Sequence, residues 1–410
     1  MAAGNGSTQG TSSLAGQWSD LPDDLLSMVY IRLALPADLV HFTAVCASWR
    51  AAALMHPQPA PPRIPWLILD PRGGDEMKHL YCPQDGTVLP HVPLPSKAAG
   101  RCFIGGYDGG WVASSEAPLG IVNLFSGAEV ALSTEQRRIV RERQCSGNLL
   151  VLQKVVFSEA PTSGGCILAA ITDKLGIAIC KIGCPERGWI TQEFRGDERL
   201  MDIAFCNGEL YGIMRHSDGL FKFEISLDGQ GAPVRIDAHR LNMQSRSSYT
   251  GTEVYPKYIV ELHGKLLMVE WSHWRWPRNN RSFFTVNELV NSNTDIDTHT
   301  YDFKWVEMTS LGNYTLFLGP TCSKAVHVPT GRRGSLKRNH IYNSHHRCLR
   351  RKDRIPDHGK LFHTSWDSNW DRVYYMIGGS TDSSEEEITS VRHYVRGGVR
   401  PPMWLLPPDM

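Results

Sequence analysis

The chain has 410 residues, enough for two or three domains, and 41% of them are hydrophobic, which suffices for a sizeable core. The formal net charge is +1, so no overall field favours nucleic acid or a membrane surface as a partner. The longest apolar run, residues 166–180, is interrupted by Asp173 and Lys174 and is not expected to span a membrane. Ten cysteines without paired spacing indicate reduced thiols, so we expect a location in the cytoplasm, the nucleus or both.

The amino-terminal segment, residues 1–17, is rich in Gly, Ser and Thr and contains no basic residue. It has neither the charged region nor the apolar core of a signal or transit peptide. We therefore expect a disordered tail over these residues.

Residues 18–55 carry the pattern of amphipathic helices. Pro22 occupies a position favoured at a helix start, and Asp23 and Asp24 place negative charge in the first turn. Apolar side chains recur at three- and four-residue steps on both sides of a break at Leu35-Pro36. A segment of roughly 40 residues buries too little surface to be stable alone. Its apolar faces therefore either pack on the remainder of the chain or bind a partner.

The same segment resembles an F-box, through Leu21-Pro22-Asp23-Asp24-Leu25-Leu26, Asp38-Leu39-Val40, Val45-Cys46 and Ser48-Trp49-Arg50. The resemblance implies a three-helix element that docks on a Skp-type adaptor and so joins a cullin ubiquitin ligase. The residues that it assigns to adaptor binding are Leu21, Pro22, Leu25, Leu26, Val29, Leu39, Val40, Val45, Cys46, Trp49 and Arg50.

The chain changes character after Met55. Residues 56–65 contain five prolines and predict a stiff linker and a domain boundary. From Trp66 onward, short β-rich runs alternate with turns that contain glycine, among them Asn207-Gly208 and His263-Gly264. The pattern predicts an all-β domain built mainly of hairpins.

A weak internal repeat favours a β-propeller over residues 66–408. The frame of strand, tight turn and strand that begins at Asp202 recurs at Tyr258. At roughly 40 to 50 residues per four-stranded blade, the domain would hold about seven blades, with six or eight also open. A propeller must join its first and last blades, so the apolar runs at Trp66–Leu69 and Trp404–Leu406 are expected in the same or adjoining blades. The alternative is an irregular pair of β-sandwiches.

Several segments of this domain resemble the plant F-box proteins that carry a KIB-type β-propeller, long labelled a domain of unknown function. They are residues 109–112 with 121–127, 258–270, 311–319, 339–342 and 402–407. The resemblance implies that the propeller binds a target protein, and KIB-type relatives are associated with kinase binding. The chain departs from the family in a basic, His-rich insert around residues 339–343 and in a long loop at residues 271–281.

Motifs of catalysis and metal binding are weak. Cys180, Cys184 and a group of histidines that begins at His340 lack the second tight pair of a structural zinc site. Nucleophile elbows, phosphate loops and His-Glu-x-x-His helices are also missing from the sequence. We therefore expect no metal, no cofactor and no enzymatic activity.

Two local features are candidates for contact with partners or for regulation. Tryptophan and arginine dominate binding hot spots, so the cluster of Trp271, Trp274, Arg275, Trp276 and Arg278 is a candidate target-binding site, with packing between blades as the equal alternative. Residues 332–354 contain nine Lys or Arg and one acid. Within them Ser335 follows two arginines and is a candidate phosphorylation site, whose phosphate would offset about two positive charges. The alternatives for this segment are a nuclear address and a solvated loop.

These patterns together predict a substrate-recruiting subunit of a Skp-cullin-F-box ubiquitin ligase, with an all-α F-box followed by an all-β propeller. The sequence does not identify the target protein. One alternative is a propeller scaffold that binds and occludes a kinase or another regulator. A second is a propeller that binds a carbohydrate or a metabolite.

Overall fold

The computed structural model forms two compact units, one of residues 1–62, 330–335 and 410, the other of residues 63–329 and 336–409. The described residues are 18, 21–32, 42, 45–55, 64–69, 78–83, 88–92, 94–114, 118–138, 152–172, 176–194, 199–244, 256–271, 284–292, 302–328, 336–344, 360–361, 372–378, 388–396 and 402–407.

Two helices are described in the first unit, α1 (Asp23–Arg32) and α2 (Ala47–Met55). The carbonyl of Pro22 accepts hydrogen bonds from the Leu25 and Leu26 amides, so α1 starts where the proline and the two aspartates predicted. Leu26, Tyr30, Phe42, Ala52 and Ala53 form the small core between the helices. This core is aromatic at its centre, because the Phe42 ring lies 5.1 Å from Tyr30 and 4.5 Å from Trp49.

The described residues of the second unit form six sheets. The first has the order β25 (Met403–Leu405), β1 (Trp66–Leu69), β2 (Lys78–Tyr81) and β3 (Val88–Val92). The second holds β4 (Phe103–Tyr107), β5 (Trp111–Ser114) and β6 (Ile121–Asn123), and the short helix α3 (Thr134–Arg137) follows it. The third has the order β10 (Ile190–Gln192), β9 (Ile177–Lys181), β8 (Ile167–Thr172) and β7 (Leu152–Phe157).

The fourth and fifth sheets are consecutive antiparallel meanders. They contain β11 (Leu200–Cys206), β12 (Glu209–Met214), β13 (Leu220–Leu227) and β14 (Pro233–Arg240), then β15 (Lys257–Leu262), β16 (Lys265–Trp271), β17 (Phe284–Asn291) and β18 (Phe303–Met308). The sixth has the order β20 (Lys324–His327), β19 (Tyr314–Leu318), β21 (His340–Ser344), β24 (Thr389–Arg396), β23 (Arg372–Gly378) and β22 (Lys360–Leu361). In this sheet β21 runs parallel to both of its neighbours.

The arrangement is a β-propeller, which confirms the predicted fold class, but the predicted number of blades is wrong. Among the described residues, five sheets have four or more strands and count as full blades, and the remaining sheet has three strands. The estimate of about seven assumed 40 to 50 residues per blade. The blades here take more chain, since the fourth begins at Leu200 and the fifth only at Lys257.

Apolar clusters fill the space between neighbouring sheets around the ring. Buried side chains of β4, β5, β7 and β8 form one cluster, and those of β12, β13, β15 and β16 form another. Successive residues of one strand belong to different clusters, as Leu67 packs toward the sixth sheet and Ile68 toward the second. This explains why many strands are apolar on both faces and show no simple alternation of polar and apolar residues.

The propeller is closed by its own carboxyl-terminal strand. Strand β25 pairs with β1 in antiparallel register, with Trp66 opposite Leu405 and Leu67 opposite Trp404. The expectation that the two apolar ends of the domain share a blade is therefore confirmed.

The predicted tight turns are also confirmed. Asn207-Gly208 and His263-Gly264 connect their strands with positive φ at both central residues, the backbone that two-residue hairpin loops favour. The Asn207 side chain donates to the Gly264 carbonyl at 2.7 Å, so the turns of two adjacent blades are joined.

Candidate interaction surfaces

Helix α1 exposes an apolar face to solvent. Leu25, Met28 and Val29 are 46%, 48% and 44% exposed and share one side of the helix because they are spaced by three and four residues. Leu26 and Tyr30 lie on the other side, buried in the core of the unit. One apolar side of α1 packs on the core of the unit, and the other apolar side is exposed to solvent. An exposed apolar side of this kind is typical of a binding element.

The segment before α2 is held by local hydrogen bonds. Cys46 Sγ and Ser48 Oγ lie 3.0 Å apart in a hydrogen bond, and the Arg50 amide donates to the Cys46 carbonyl at 3.1 Å. The hydrogen bond with Ser48, followed by one with the Trp49 backbone, lowers the pKa of the Cys46 thiol. Trp49 Nε1 donates to the Trp18 carbonyl at 3.0 Å, which ties the start of the unit to α2.

The residues predicted to bind an adaptor fall into four groups in the structure. Pro22, Leu25, Val29, Val45 and Arg50 are exposed, Leu21, Cys46 and Trp49 are half-buried, Leu26 is fully buried, and Leu39 and Val40 lie outside the described residues. Leu26 therefore supports the surface from below. The sequence reasoning missed Met28 and Ile31, which are exposed apolar residues of α1, although the three-residue step from Leu25 to Met28 could have indicated the first of them.

Of the predicted target-binding cluster, the described part is Trp271 at the end of β16. It is half-buried, packs against the core between the fifth and sixth sheets, and its backbone amide donates to the Pro256 carbonyl at 3.3 Å. These contacts match the packing alternative. Trp274, Arg275, Trp276 and Arg278, together with the candidate phosphorylation site Ser335, lie outside the described residues.

The propeller contains a cavity at its centre. Strands β25, β4, β7, β11, β15 and β20 lie at one edge of their sheets and follow one another around the axis. A cavity of about 210 Å³ is lined by residues on or beside five of these strands, β4, β7, β11, β15 and β20. The residues just before β20 also line it. Its ionisable lining residues are Tyr107, Asp108, Lys154, Glu261, Cys322 and Lys324.

A buried ion pair lies beside this cavity. Lys154 Nζ contacts Asp202 Oδ1, and both side chains are at most 5% exposed. Asp202 also accepts hydrogen bonds from the Ile203 amide at 2.8 Å and the Ile259 amide at 3.0 Å. Burial raises the pKa of the Asp202 carboxyl, and the positive charge of Lys154 opposes that effect. One carboxylate thus connects the innermost strands of three consecutive sheets.

A second ion pair lies in the cavity wall. Lys324 Nζ is 2.8 Å from Asp108 Oδ1 and 5.2 Å from the centre of the Tyr107 ring. Burial lowers the pKa of Lys324, but the Asp108 carboxylate together with the neighbouring Cys322 and Tyr107 outweighs it, so the net shift is upward. Beside it, burial raises the pKa of the Cys322 thiol. Thr321 is 4% exposed, and its buried Oγ1 has no hydrogen-bond partner among the described residues.

Nothing in the sequence pattern singled out these cavity residues. Lys154, Asp202 and Lys324 come from three different sheets, Thr321 lies in the loop before β20, and each stands in an ordinary strand or loop context. Their proximity follows from closure of the ring, which local periodicity does not encode.

Within the described ranges, no helix has the length and apolar character needed to cross a bilayer.

Comparison with known proteins gives a family match and relatives of low identity. The chain matches the KIB1-4 beta-propeller family over residues 80–373. A putative F-box protein of Arabidopsis thaliana is 22% identical over 357 residues, which cover 80% of this chain and 88% of that protein. A putative F-box/kelch-repeat protein of the same plant is 38% identical over 39 residues, so the matched segment spans only 10% of each protein. These matches confirm the resemblance noted in the sequence.

Among solved structures, similarity is weak. The chain aligns with Raptor of Chaetomium thermophilum at 10% identity and a TM-score of 0.29, with 57% of this chain and 18% of the other covered. A score of this size supports no inference about fold or function.

Proposed function

The chain belongs to the KIB1-4 β-propeller family, and on that premise we propose that it recruits target proteins to a Skp-cullin-F-box ubiquitin ligase. In this proposal α1 and α2 dock on a Skp-type adaptor, which in turn binds the cullin. The propeller binds the target protein, and the chain contributes no catalytic group of its own. We expect this to occur in the cytoplasm, the nucleus or both.

The observation that supports adaptor docking most strongly is the exposed apolar face of α1. Leu25, Met28 and Val29 lie side by side at the surface, while Leu26 and Tyr30 on the opposite side hold the helix on its own small core. Burying an aliphatic side chain stabilises a complex by roughly 1.5–3 kcal/mol when burial is complete. Leu25 and Val29 are 46% and 44% exposed, so about half of each side chain remains to be buried and each can contribute about half of that amount on docking.

The test is adaptor binding by two variants of the intact chain. Leu25→Ala combined with Val29→Ala removes apolar area from the exposed face of α1, and we expect a loss of roughly 2 kcal/mol, a change of about 30-fold in Kd. A matched control is Leu227→Ala, since Leu227 is 48% exposed on β13 of the propeller and has a similar area to lose. Calorimetric titration with a purified Skp-type adaptor measures both.

Unchanged adaptor affinity in the double variant would contradict the proposed docking face. Equal loss in the Leu227→Ala control would show that the effect is nonspecific. Target capture that persists without any adaptor binding, by contrast, would favour a propeller that acts by occluding its target. The target protein itself can be sought by comparing proteins captured by the intact chain and by a chain that lacks residues 18–55, with the proteasome inhibited.

A further inference from the structure

The cavity at the centre of the propeller has the size and the lining of a ligand site. Its volume is about 210 Å³, and because liquid water occupies about 30 Å³ per molecule, it holds roughly seven waters or one small metabolite. We propose that it binds a small free oxyanion, a carboxylate or a phosphate, through the ammonium groups of Lys154 and Lys324. This inference does not depend on the proposed role in ubiquitin ligation.

Lys154 brings a positive charge to the cavity wall from β7. Its ammonium group contacts Asp202, which does not line the cavity and whose oxygens are also engaged by the amides of Ile203 and Ile259. An ammonium group has three N–H donors, and the contact with Asp202 uses one of them. Asp202 therefore holds the Lys154 ammonium group in place from outside the cavity lining, and the remaining N–H donors of Lys154 are left for a ligand.

Lys324 supplies the second positive charge from β20. It is paired with Asp108 at 2.8 Å, which orients its ammonium group, and its side chain lines the cavity and is 28% exposed. Glu261 also lines the cavity, and its Oε1 accepts from the Gly264 amide at 2.6 Å in the hairpin turn. The lining thus holds two ammonium groups and two carboxylates, and both carboxylates are already engaged, Asp108 by Lys324 and Glu261 by the Gly264 amide.

Thr321 provides an independent indication of a ligand. Its Oγ1 is buried without a hydrogen-bond partner among the described residues, although the residue lines the cavity. A buried hydroxyl without a partner is destabilising, and a ligand oxygen that accepts from it would remove that cost. Ammonium and hydroxyl donors together suit carboxylate and phosphate oxygens, since charge-assisted hydrogen bonds of this type are the strongest available to side chains.

The experiment is calorimetric titration of the full chain, in low-salt buffer free of phosphate, with three separate probes. Inorganic phosphate and succinate test the two oxyanion classes, and erythritol is a neutral molecule of comparable size. We expect saturable binding of one oxyanion per chain and none of erythritol. If phosphate binds and succinate does not, the site selects phosphates, and the reverse result assigns it to carboxylates.

Four variants locate the binding and control for it. Lys324→Gln and Thr321→Val should each weaken binding at least tenfold, whereas Lys324→Arg, which keeps the charge, should retain binding within about threefold. Lys222→Gln is the matched control, because Lys222 is paired with Glu209 on the fourth sheet, is 32% exposed and does not line the cavity. It should bind like the unmodified chain.

Two results would overturn the proposal. One is the absence of any heat with phosphate and with succinate at millimolar concentrations, which would leave the cavity occupied by water. The other is binding that persists in Lys324→Gln, which would place the anion elsewhere on the chain. Far-ultraviolet circular dichroism of each variant confirms that a loss of binding is not a loss of folding. If Lys324→Gln fails to fold, Thr321→Val decides the case, because binding that persists in Thr321→Val would also place the anion elsewhere on the chain.

Discussion

Trp404 is the residue on which closure of the propeller depends most. It is fully buried in β25, its ring lies edge-on to Phe317 at 5.1 Å, and its Nε1 donates to the Leu318 carbonyl at 2.9 Å. Truncating a buried tryptophan to alanine costs about 3–5 kcal/mol, and domains are stable by only about 5–15 kcal/mol. Trp404→Ala should therefore remove a fifth or more of the free energy of unfolding and lower Tm by roughly 4–7 °C.

The assay is urea and thermal unfolding of the full chain, followed by circular dichroism. Trp404→Phe keeps an aromatic ring but loses the indole donor, and the Leu318 carbonyl retains Asn343 Nδ2 at 3.3 Å and Ser344 Oγ at 3.4 Å. Trp404→Phe should lower the free energy of unfolding by less than Trp404→Ala does. Trp18→Ala is the matched control, because Trp18 is 66% exposed and should lose no more than about 0.5 kcal/mol.

The closure account would be refuted if Trp404→Ala unfolded within 1 kcal/mol of the unmodified chain, well below the cost of about 3–5 kcal/mol expected for a buried tryptophan. It would also fail if deletion of residues 401–410 left the cooperative transition intact. Both results would mean that β25 adds a strand to the first sheet without holding the ring together.

The remaining predictions concern the buried ion pair, the thiols and the candidate phosphorylation site. Lys154→Met or Asp202→Asn alone should lower the free energy of unfolding by about 3–5 kcal/mol, because each leaves a buried group without its partner, and the double variant should lose clearly less than the sum in a denaturation cycle. Burial raises the pKa of Cys180 to about 12, whereas the pKa of Cys46 is lowered, so iodoacetamide at pH 8 should label Cys46 before Cys180 in the native chain, as read by peptide mass spectrometry. Equal labelling of both would contradict the burial of Cys180. Ser335→Asp should change the salt dependence of partner binding by placing negative charge in the basic segment, and an unchanged set of partners would count against that role.

The sequence predicted the parts of the fold that depend on local chemistry. Two short apolar runs fenced by prolines, residues 66–69 and 404–406, were predicted to lie in the same or adjoining blades, and their pairing in one sheet confirms it. Asn207-Gly208 and His263-Gly264 identified hairpin turns because both positions need positive φ. These features act within a few residues, so a single sequence contains them.

The parts that the sequence did not predict depend on distant pairing. The sixth sheet places β21 between β19 and β24, in parallel register, and residues so far apart leave no periodic signature. The cavity residues Lys154 and Lys324 likewise come from the third and sixth sheets, and the ring brings both to one cavity. On α1, the helical period placed both Leu25 and Leu26 in the apolar pattern and did not show which of them faces solvent. That is decided by the aromatic core on which the helix packs, which buries Leu26 and leaves Leu25 exposed.

The central claim is that the helical unit docks on a ubiquitin ligase while the propeller binds a target. The most direct measurement is size-exclusion chromatography with light scattering of the intact chain, mixed with a purified Skp-type adaptor and the amino-terminal part of its cullin. The account predicts one complex that contains one copy of each, and predicts that Leu25→Ala with Val29→Ala elutes separately from the adaptor and cullin at the same concentrations. Elution of the unmodified, folded chain apart from the adaptor would contradict the account.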